Sequence, residues 1–246
     1  MVRRLIIPDC HWPDVDVAAY RVMLDAAKDY KPHEVVILGD WFDVYCLSRF
    51  DKNPEKVARD LEEEIASGID AIHELMDLLK PKHLWFLCGN HSYRITKYVQ
   101  AHAPFIHKLI PPMHELFQLP RNSTLIPSGE FLELDGVQFH HGIATGRNNT
   151  AKMLDMLGKD VVYGHVHRLQ MQMKRLLGGK VIKAYSCGWL GDFKEAEYMS
   201  HADWQHGFAT MNSTKSRHEI HLHEIANRGM IFRGKEYDYQ YKKTSR

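Results

Sequence analysis

The sequence predicts an α/β domain in which parallel strands come first and shorter β-runs follow. Two observations support this class. The first 90 residues alternate short apolar runs, each ended by Pro, Gly or Asp, with segments of helical apolar spacing. From Ser123 onward, short β-like runs separated by turn residues replace that alternation. An order of strand, helix, strand is typical of parallel pairs joined by crossover helices.

Three buried strands are predicted in the first part, at residues 3–8, 33–38 and 83–88. Two helices connect them, at residues 15–30 and about 54–79. Residues 92–118 also have a helical pattern, but Pro104 and the pair Pro111-Pro112 interrupt it. Proline cannot continue a helix, so this segment is expected to form two or three short helices as a cap or rim.

The second part is predicted to contain mainly strands, at residues 124–126, 130–134, 137–140, 160–163, 208–212 and 218–223, with one helix at 149–157. Gly178-Gly179 between residues 169–177 and 180–185 indicates a β-hairpin. We expect one domain over residues 1–227, followed by a basic, Tyr-rich tail at 228–246.

The overall composition indicates a soluble globular protein. The 246 residues are 44% hydrophobic and 26% charged, enough for one large core. The formal net charge of +1 predicts no strong attraction to long nucleic acids or membranes. The four cysteines are scattered, which favours free thiols in a reducing compartment, and no apolar run is long enough for a membrane span. We therefore expect a cytoplasmic protein.

Five short motifs of metal-ligand residues each follow a predicted strand. They are D-C-H at residues 9–11, G-D-W-F-D at 39–43, G-N-H at 89–91, H-H-G at 140–142 and G-H-V-H at 164–167. Asp, Asn and His without Cys suit Mn²⁺ first, with Fe²⁺, Zn²⁺ or Ni²⁺ as alternatives. Seven or eight ligands are too many for one ion and fit two. A pair of divalent ions is suited to phosphate-ester hydrolysis.

The individual residues suggest roles. Asp9 and His11 are two positions apart in an extended segment, so their side chains can hold one ion together. Asp40 has two carboxylate oxygens and can bridge two ions, and Asp43 can reach round the turn to orient a histidine. Asn90 offers an amide oxygen.

Two of the histidine motifs leave alternatives open, and a third supplies a pair. His91 is either a general acid for a leaving alkoxide or an ordinary residue at a helix start. Alternation along the strand allows only one of His140 and His141 to face the ions, and His141 shares a face with Val137 and Phe139. His165 and His167 can supply one nitrogen to each ion.

The ordered set of motifs resembles the calcineurin-like metallophosphoesterases, whose pattern D-x-H, G-D-x-x-D, G-N-H, H, G-H-x-H is matched over residues 9–167. The resemblance implies a four-layer α/β/β/α sandwich with a two-metal centre. The implied ligands of the first ion are Asp9, His11, Asp40 and His167, and those of the second are the bridging Asp40, Asn90, His141 and His165. It also implies that His91, backed by Asp43, contacts the phosphate and protonates the leaving group. Ser92 stands where an acidic residue often follows G-N-H.

The function expected from these motifs is hydrolysis of phosphate mono- or diesters by a metal-bridging hydroxide. Arg94 either binds the phosphate or is a cation on a helix surface. Trp12, Trp41 and Tyr93 either stack a nucleobase at the mouth of the site, which would favour a nucleotide or nucleic-acid diesterase, or pack in the core. Cys10 is expected to be a small buried filler. A non-catalytic scaffold is disfavoured, because it would have no use for His91 beside the ions.

Overall fold

A six-stranded mixed sheet forms one half of the fold. The structure is a computed structural model and describes residues 1–49, 60–195 and 203–239. The strands of this first sheet are Val2–Ile7 (β1), Glu34–Ile37 (β2), His83–Leu87 (β3), Ser123–Ile126 (β4), Gly207–Ser213 (β10) and His218–Glu224 (β11). Their order is β11-β10-β1-β2-β3-β4, in which β1 to β4 are parallel and the pairs β1/β10 and β10/β11 are antiparallel. The predicted parallel core of the first part is therefore confirmed.

A second, five-stranded sheet has the order β5-β6-β7-β9-β8. Its strands are Leu132–Leu134 (β5), Val137–His140 (β6), Asp160–Tyr163 (β7), Leu169–Arg175 (β8) and Val181–Cys187 (β9). Strands β8 and β9 pair antiparallel, which confirms the hairpin predicted around Gly178-Gly179.

The helices are Val17–Tyr30 (α1), Leu61–Leu79 (α2), Tyr93–His102 (α3), Met113–Leu116 (α4) and Asn149–Leu157 (α5), with single 3₁₀ turns at Tyr45–Leu47, Pro104–Leu109 and Phe193–Glu195. Asp16 caps α1 by accepting a hydrogen bond from the Ala19 N–H, and Asp60 caps α2 in the same way through Glu62. The part of the second predicted helix at residues 54–59 lies outside the described residues. Helix α3 ends before Pro104, as the proline positions predict.

Three clusters of buried apolar side chains separate four layers. Helices α1 and α2 cover one face of the first sheet, and Leu5 and Ile7 belong to that cluster. Ile6 points to the opposite face and packs between the two sheets with Phe139. Helix α5 covers the outer face of the second sheet through Met153. Strands buried on both faces read as continuous apolar runs, and this architecture confirms the predicted α/β/β/α sandwich.

A β-hairpin of strands Gly229–Phe232 (β12) and Lys235–Asp238 (β13) packs against α1. Phe232 lies 6.1 Å from Tyr30 between ring centroids, and the Tyr237 hydroxyl donates a hydrogen bond to Asp29. Residues 240–246 of the predicted tail lie outside the described part of the chain, and the division at residue 228 stays a prediction. No helix in the described ranges is both long enough and apolar enough to cross a membrane.

Candidate metal centre

Each of the five motifs lies directly after a strand, and the strands come from both sheets. Strands β1, β2 and β3 of the first sheet lead into residues 9–11, 39–43 and 89–91, and β6 and β7 of the second sheet lead into residues 140–142 and 164–167. Sites in α/β folds form at the carboxyl ends of parallel strands. The two sheets therefore bring the predicted ligands together from distant parts of the sequence.

The ligand atoms gather in three groups of three, within each of which they lie no more than 4.8 Å from one another. The groups are Asp9, His11 and His167; Asp40, His141 and His165; and His11, Asp40 and His91. The third group shares His11 with the first and Asp40 with the second. The groups therefore adjoin one another, as two neighbouring cations would require.

In the first group, nitrogen and carboxylate atoms face a common point. Nε2 of His167 lies 3.1 Å from Oδ2 of Asp9 and 3.3 Å from Nε2 of His11. The Asp9 carboxylate is fully buried and also accepts the backbone N–H of His165 at 3.0 Å. Burial alone raises the pKa of Asp9, but the charges of His141 and His167 lower it below its usual value, so the carboxylate is ionised.

In the second group, Nε2 of His141 lies 3.0 Å from Oδ2 of Asp40 and 2.8 Å from Oδ1 of Asn90. Nδ1 of His141 donates to the Leu38 carbonyl at 3.1 Å. This hydrogen bond fixes the ring so that Nε2 points at the two oxygens. Burial lowers the pKa of His141, but Asp40 and Asp9 outweigh it and raise that pKa to about 9. Nε2 of His141 thus faces two oxygens with which it could share a cation.

Asp40 belongs to two of the three ligand groups. Its Oδ1 accepts the backbone N–H of His91 at 2.8 Å, and its Oδ2 lies 3.8 Å from Nε2 of His91 as well as close to His141. Burial raises the pKa of Asp40, but the charges of His141, His91 and His11 hold it well below the usual range. An ionised carboxylate buried among imidazoles is costly unless a cation neutralises it, which fits a divalent metal.

The backbone around the ligands is strained. His11, Asp40, His165 and His167 have positive φ angles of 55°, 43°, 70° and 58°. A non-glycine residue in this region costs about 1–3 kcal/mol and persists where the surrounding structure enforces it, often at functional sites. The motif glycines supply room instead: a Cβ atom on Gly89 would overlap the Asp40 carboxylate, and one on Gly164 would overlap that of Asp9.

The two neighbouring histidines of the H-H-G motif point in different directions. His141 belongs to the second ligand group, whereas His140 turns away from it. Nδ1 of His140 accepts the Gly142 N–H at 2.8 Å, and its ring lies 4.3 Å from that of Phe131. Burial lowers the pKa of His140 to about 4, so this imidazole is neutral. Of the two candidates, the structure brings His141 to the site.

A hydrogen-bonded chain of His91, Asp43 and Arg94 lies beside the ligand groups. Oδ1 of Asp43 accepts from Nδ1 of His91 at 2.6 Å and lies 3.0 Å from Nδ1 of His11. Burial raises the pKa of Asp43, but the charge of His91 and the bonds to both histidines hold it far below its usual value. Arg94 donates to the Asp43 carbonyl at 2.9 Å and to Nε2 of His91 at 2.9 Å.

Of the aromatic residues considered for base stacking, Trp41 is not at the mouth of the site. Trp41 is fully buried and its indole N–H donates to the Gly68 carbonyl at 2.9 Å. Trp12 packs against Tyr20 and Trp41 at centroid distances of 5.3 and 6.3 Å. Tyr93 is half-buried, with the Lys97 ammonium 5.1 Å from its ring centroid. The stacking hypothesis is wrong for Trp41, and Trp12 also packs in the core.

Cys10 fits the filler interpretation. It is fully buried, and its thiol donates to the Pro8 carbonyl at 3.5 Å. Burial and the nearby Asp9 charge raise the pKa of Cys10 well above its usual value, so the thiol stays protonated.

Two tryptophans missing from the sequence analysis pack directly on His167. Its ring stacks on Trp189 at 4.9 Å with an interplanar angle of 12° and meets the edge of Trp204 at 4.4 Å. Trp189 lies two residues beyond β9, and its neighbour Leu190 donates its N–H to the Asp9 carbonyl. The sequence carried one signal for Trp189, since it follows another strand at the same end of the second sheet.

No model of a protein family matches the chain, and no curated protein matches it. Among solved structures, Vps29 from Chaetomium thermophilum is similar at 11% identity and a TM-score of 0.49, covering 92% of this chain and 93% of that one. Wild-type Vps29 from Entamoeba histolytica complexed with Zn²⁺ is similar at 14% identity and a TM-score of 0.45, covering 92% and 94%. YfcE, a phosphoesterase from E. coli, is similar at 14% identity and a TM-score of 0.43, covering 86% and 89%. Likeness at this level assigns no function.

Proposed function

We propose that the protein is a metal-dependent phosphoesterase that uses two divalent cations to hydrolyse phosphate mono- or diesters. The observation that carries the proposal is the pair of adjoining ligand groups, Asp9–His11–His167 and Asp40–His141–His165, joined through a third group that contains His11 and Asp40. Two cations, when bound, supply charge for the phosphate oxygens and lower the pKa of water.

The proposed ligand sets extend the first two groups by residues that adjoin them. The residues proposed for the first cation are Asp9, His11, Asp40 and His167, and those for the second are Asp40, Asn90, His141 and His165. Four imidazoles in the two sets favour Mn²⁺ or another transition ion over Mg²⁺.

His91 is proposed as the general acid. Its Nδ1–H is held by the carboxylate and carbonyl of Asp43, so Nε2 is the atom that exchanges a proton with the substrate. The Asp43 carboxylate fixes the orientation of the His91 ring. Nε2 faces the ligand groups, where it lies 3.8 Å from Asp40 Oδ2. A leaving oxygen beside the cations would therefore be within reach of a proton carried by Nε2 once Arg94 no longer donates to that nitrogen.

Arg94 is proposed to bind the phosphate. Its guanidinium lies 2.9 Å from Nε2 of His91 and is half-buried against the turn after Asp43. A guanidinium presents several donors in one plane and suits a phosphate with two exposed oxygens. The substrate anion would draw Arg94 away from His91 and free Nε2 for the leaving group.

Metal removal and reconstitution test the proposal. Protein stripped with EDTA is expected to lose hydrolysis of aryl phosphate mono- and diesters and to regain it with Mn²⁺ better than with Mg²⁺. Elemental analysis is expected to find two ions per chain in wild type, fewer in His165→Ala, and an unchanged number in the matched control His107→Ala, whose side chain is exposed and outside the site. Full turnover in excess EDTA by metal-free protein would refute the proposal. Adding cyclic nucleotides and single-stranded DNA to the panel separates monoester, nucleotide and nuclease activity.

A further inference from the structure

Strand β8 forms an edge of the second sheet and pairs only with β9 in the described part of the chain. The direction of its backbone groups follows from the ends of the ladder. The Arg168 carbonyl accepts from the Gly188 N–H, and the Leu176 N–H donates to the Lys180 carbonyl. Hydrogen-bonded pairs alternate along an antiparallel ladder, so the even-numbered residues of β8 bond to β9. The odd-numbered residues direct their N–H and C=O groups away from the sheet.

Two consecutive outward positions of this edge stay open. The outward N–H of Leu169 donates to the Gln205 side-chain oxygen at 3.0 Å. For the outward N–H and C=O groups of Met171 and Met173, no partner occurs within residues 1–49, 60–195 and 203–239. Such open positions are a ready template for another strand.

Three exposed apolar side chains lie beside this edge, on the same face as Lys183, which is opposite Met173. Met171 is 51% exposed, Met173 57% and Val181 47%. Met171 lies opposite Tyr185, which belongs to the cluster between the sheets, and directly opposed residues share a face. The three exposed side chains thus extend the inter-sheet core beyond the edge of the first sheet.

The other edges are built differently. Strand β11, the other long edge, reads H-E-I-H-L-H-E and carries charged or titratable side chains at most positions. Strands β4 and β5 are only four and three residues long. Charges and shortness are the usual protection of an edge, and the segment Gln170–Met173 has neither.

We propose that β8 is a dimerisation edge that pairs antiparallel with the β8 of a second copy, centred on Gln172, to make one continuous sheet. In this register Met171 lies opposite the Met173 of the second copy, and their outward groups exchange about four hydrogen bonds in total. Gln170 faces Lys174, so no like charges oppose each other, and Leu169 keeps its bond to Gln205. The edge is thus complementary to a second copy of itself in this alignment, whereas a register centred on Lys174 would place two ammonium groups face to face.

Sedimentation of the full chain from about 1 to 100 µM tests the proposal. Wild type is expected to show a concentration-dependent dimer, and hydrogen exchange at the Met171 and Met173 amides should slow as the dimer forms. Met171→Lys and Met173→Glu should each raise the dissociation constant about tenfold or more. Leu177→Lys is the matched control, because this residue is fully exposed and outside the ladder.

The double variant Met171→Lys/Met173→Glu fixes the register. In the proposed pairing each new lysine faces a new glutamate of the second copy, so dimerisation should return toward the wild-type level. A wild-type chain that stays monomeric throughout would overturn the proposal and leave the edge to a different partner. A dimer that ignores the single variants, or a double variant weaker than both, would place the interface or the register elsewhere.

Discussion

The histidines on the two sides of the metal centre are held by different kinds of contact. On the side of Asp40, His141 and His91 each have an oxygen acceptor at Nδ1, and His11 is held in the same way by Asp43. On the side of Asp9, Nδ1 of His167 is buried and meets no hydrogen-bond partner in the described part of the chain, while Trp189 and Trp204 contact its ring. Hydrogen bonds therefore orient His141, His91 and His11, whereas aromatic packing orients His167.

The two kinds of contact predict different effects when a supporting residue is substituted. An acceptor at Nδ1 fixes the tautomer and raises the basicity of the ligand, whereas ring packing fixes only the orientation. Changes on the Asp40 side are expected to alter charge and proton transfer. Changes on the Trp189 side are expected to act through placement of one ligand, with smaller effects.

Asp40→Asn should have the largest effect. The neutral amide removes the negative charge that both proposed ligand sets share, so both cations should bind more weakly. The loss should exceed the roughly 10–100-fold that follows from mutating a residue hydrogen-bonded to a ligand. Metal content and kcat/KM at fixed Mn²⁺ measure this loss. Asp155→Asn, which changes an exposed carboxylate paired with Lys174, is the control. Two retained ions with near-normal turnover would show that Asp40 is not the bridge.

The neighbouring histidines should behave unequally. His141→Ala should lose one of two ions, because it removes a ligand, whereas His140→Ala should keep both and lose some stability through its contact with Phe131. Elemental analysis together with thermal unfolding distinguishes the two effects. Normal metal content in His141→Ala with loss in His140→Ala would reverse the assignment.

The ligand motifs themselves can be predicted from the sequence. Their residues follow apolar runs that end at Pro, Gly or Asp, and strand alternation favours His141 over His140 through Val137 and Phe139. The spacing of Asp40 and Asp43 also indicated a carboxylate that could orient a histidine. Local spacing was sufficient because each of these cues lies within a few residues.

The two tryptophans that pack on His167 cannot be predicted in the same way. Trp189 and Trp204 reach His167 only because β9 pairs with β7 and the chain then returns to β10 of the first sheet. Conversely, Trp41 lies within a ligand motif but points away from the site into the core, where it bonds to Gly68 of α2. Proximity in sequence leaves both interpretations of Trp41 open, since side-chain direction at a turn depends on backbone angles that sequence patterns do not specify.

His91→Ala should lower kcat by about 10²–10⁴-fold on substrates with poor leaving groups and leave both ions bound. The loss should shrink for nitrophenyl esters, because a nitrophenolate leaves without a proton. A series of aryl esters of graded leaving-group pKa, compared at saturating Mn²⁺, measures this trend. Equal losses across the series would assign His91 to phosphate binding, and missing metal would make it a ligand.

Trp189→Leu should have the smallest effect, and it tests whether aromatic packing orients His167. Removing the ring stacked on His167 leaves that ligand held only by the edge contact with Trp204, so Mn²⁺ affinity should fall by about tenfold, the lower figure for changes behind a metal ligand. Trp189→Phe should retain most of the affinity, since a ring remains. Calorimetric titration of Mn²⁺ measures both variants. Trp85→Leu is the matched control, because it shortens a half-buried tryptophan of the first sheet outside the ligand groups. If that control weakens metal binding equally, the effect is one of general stability, and packing does not orient His167.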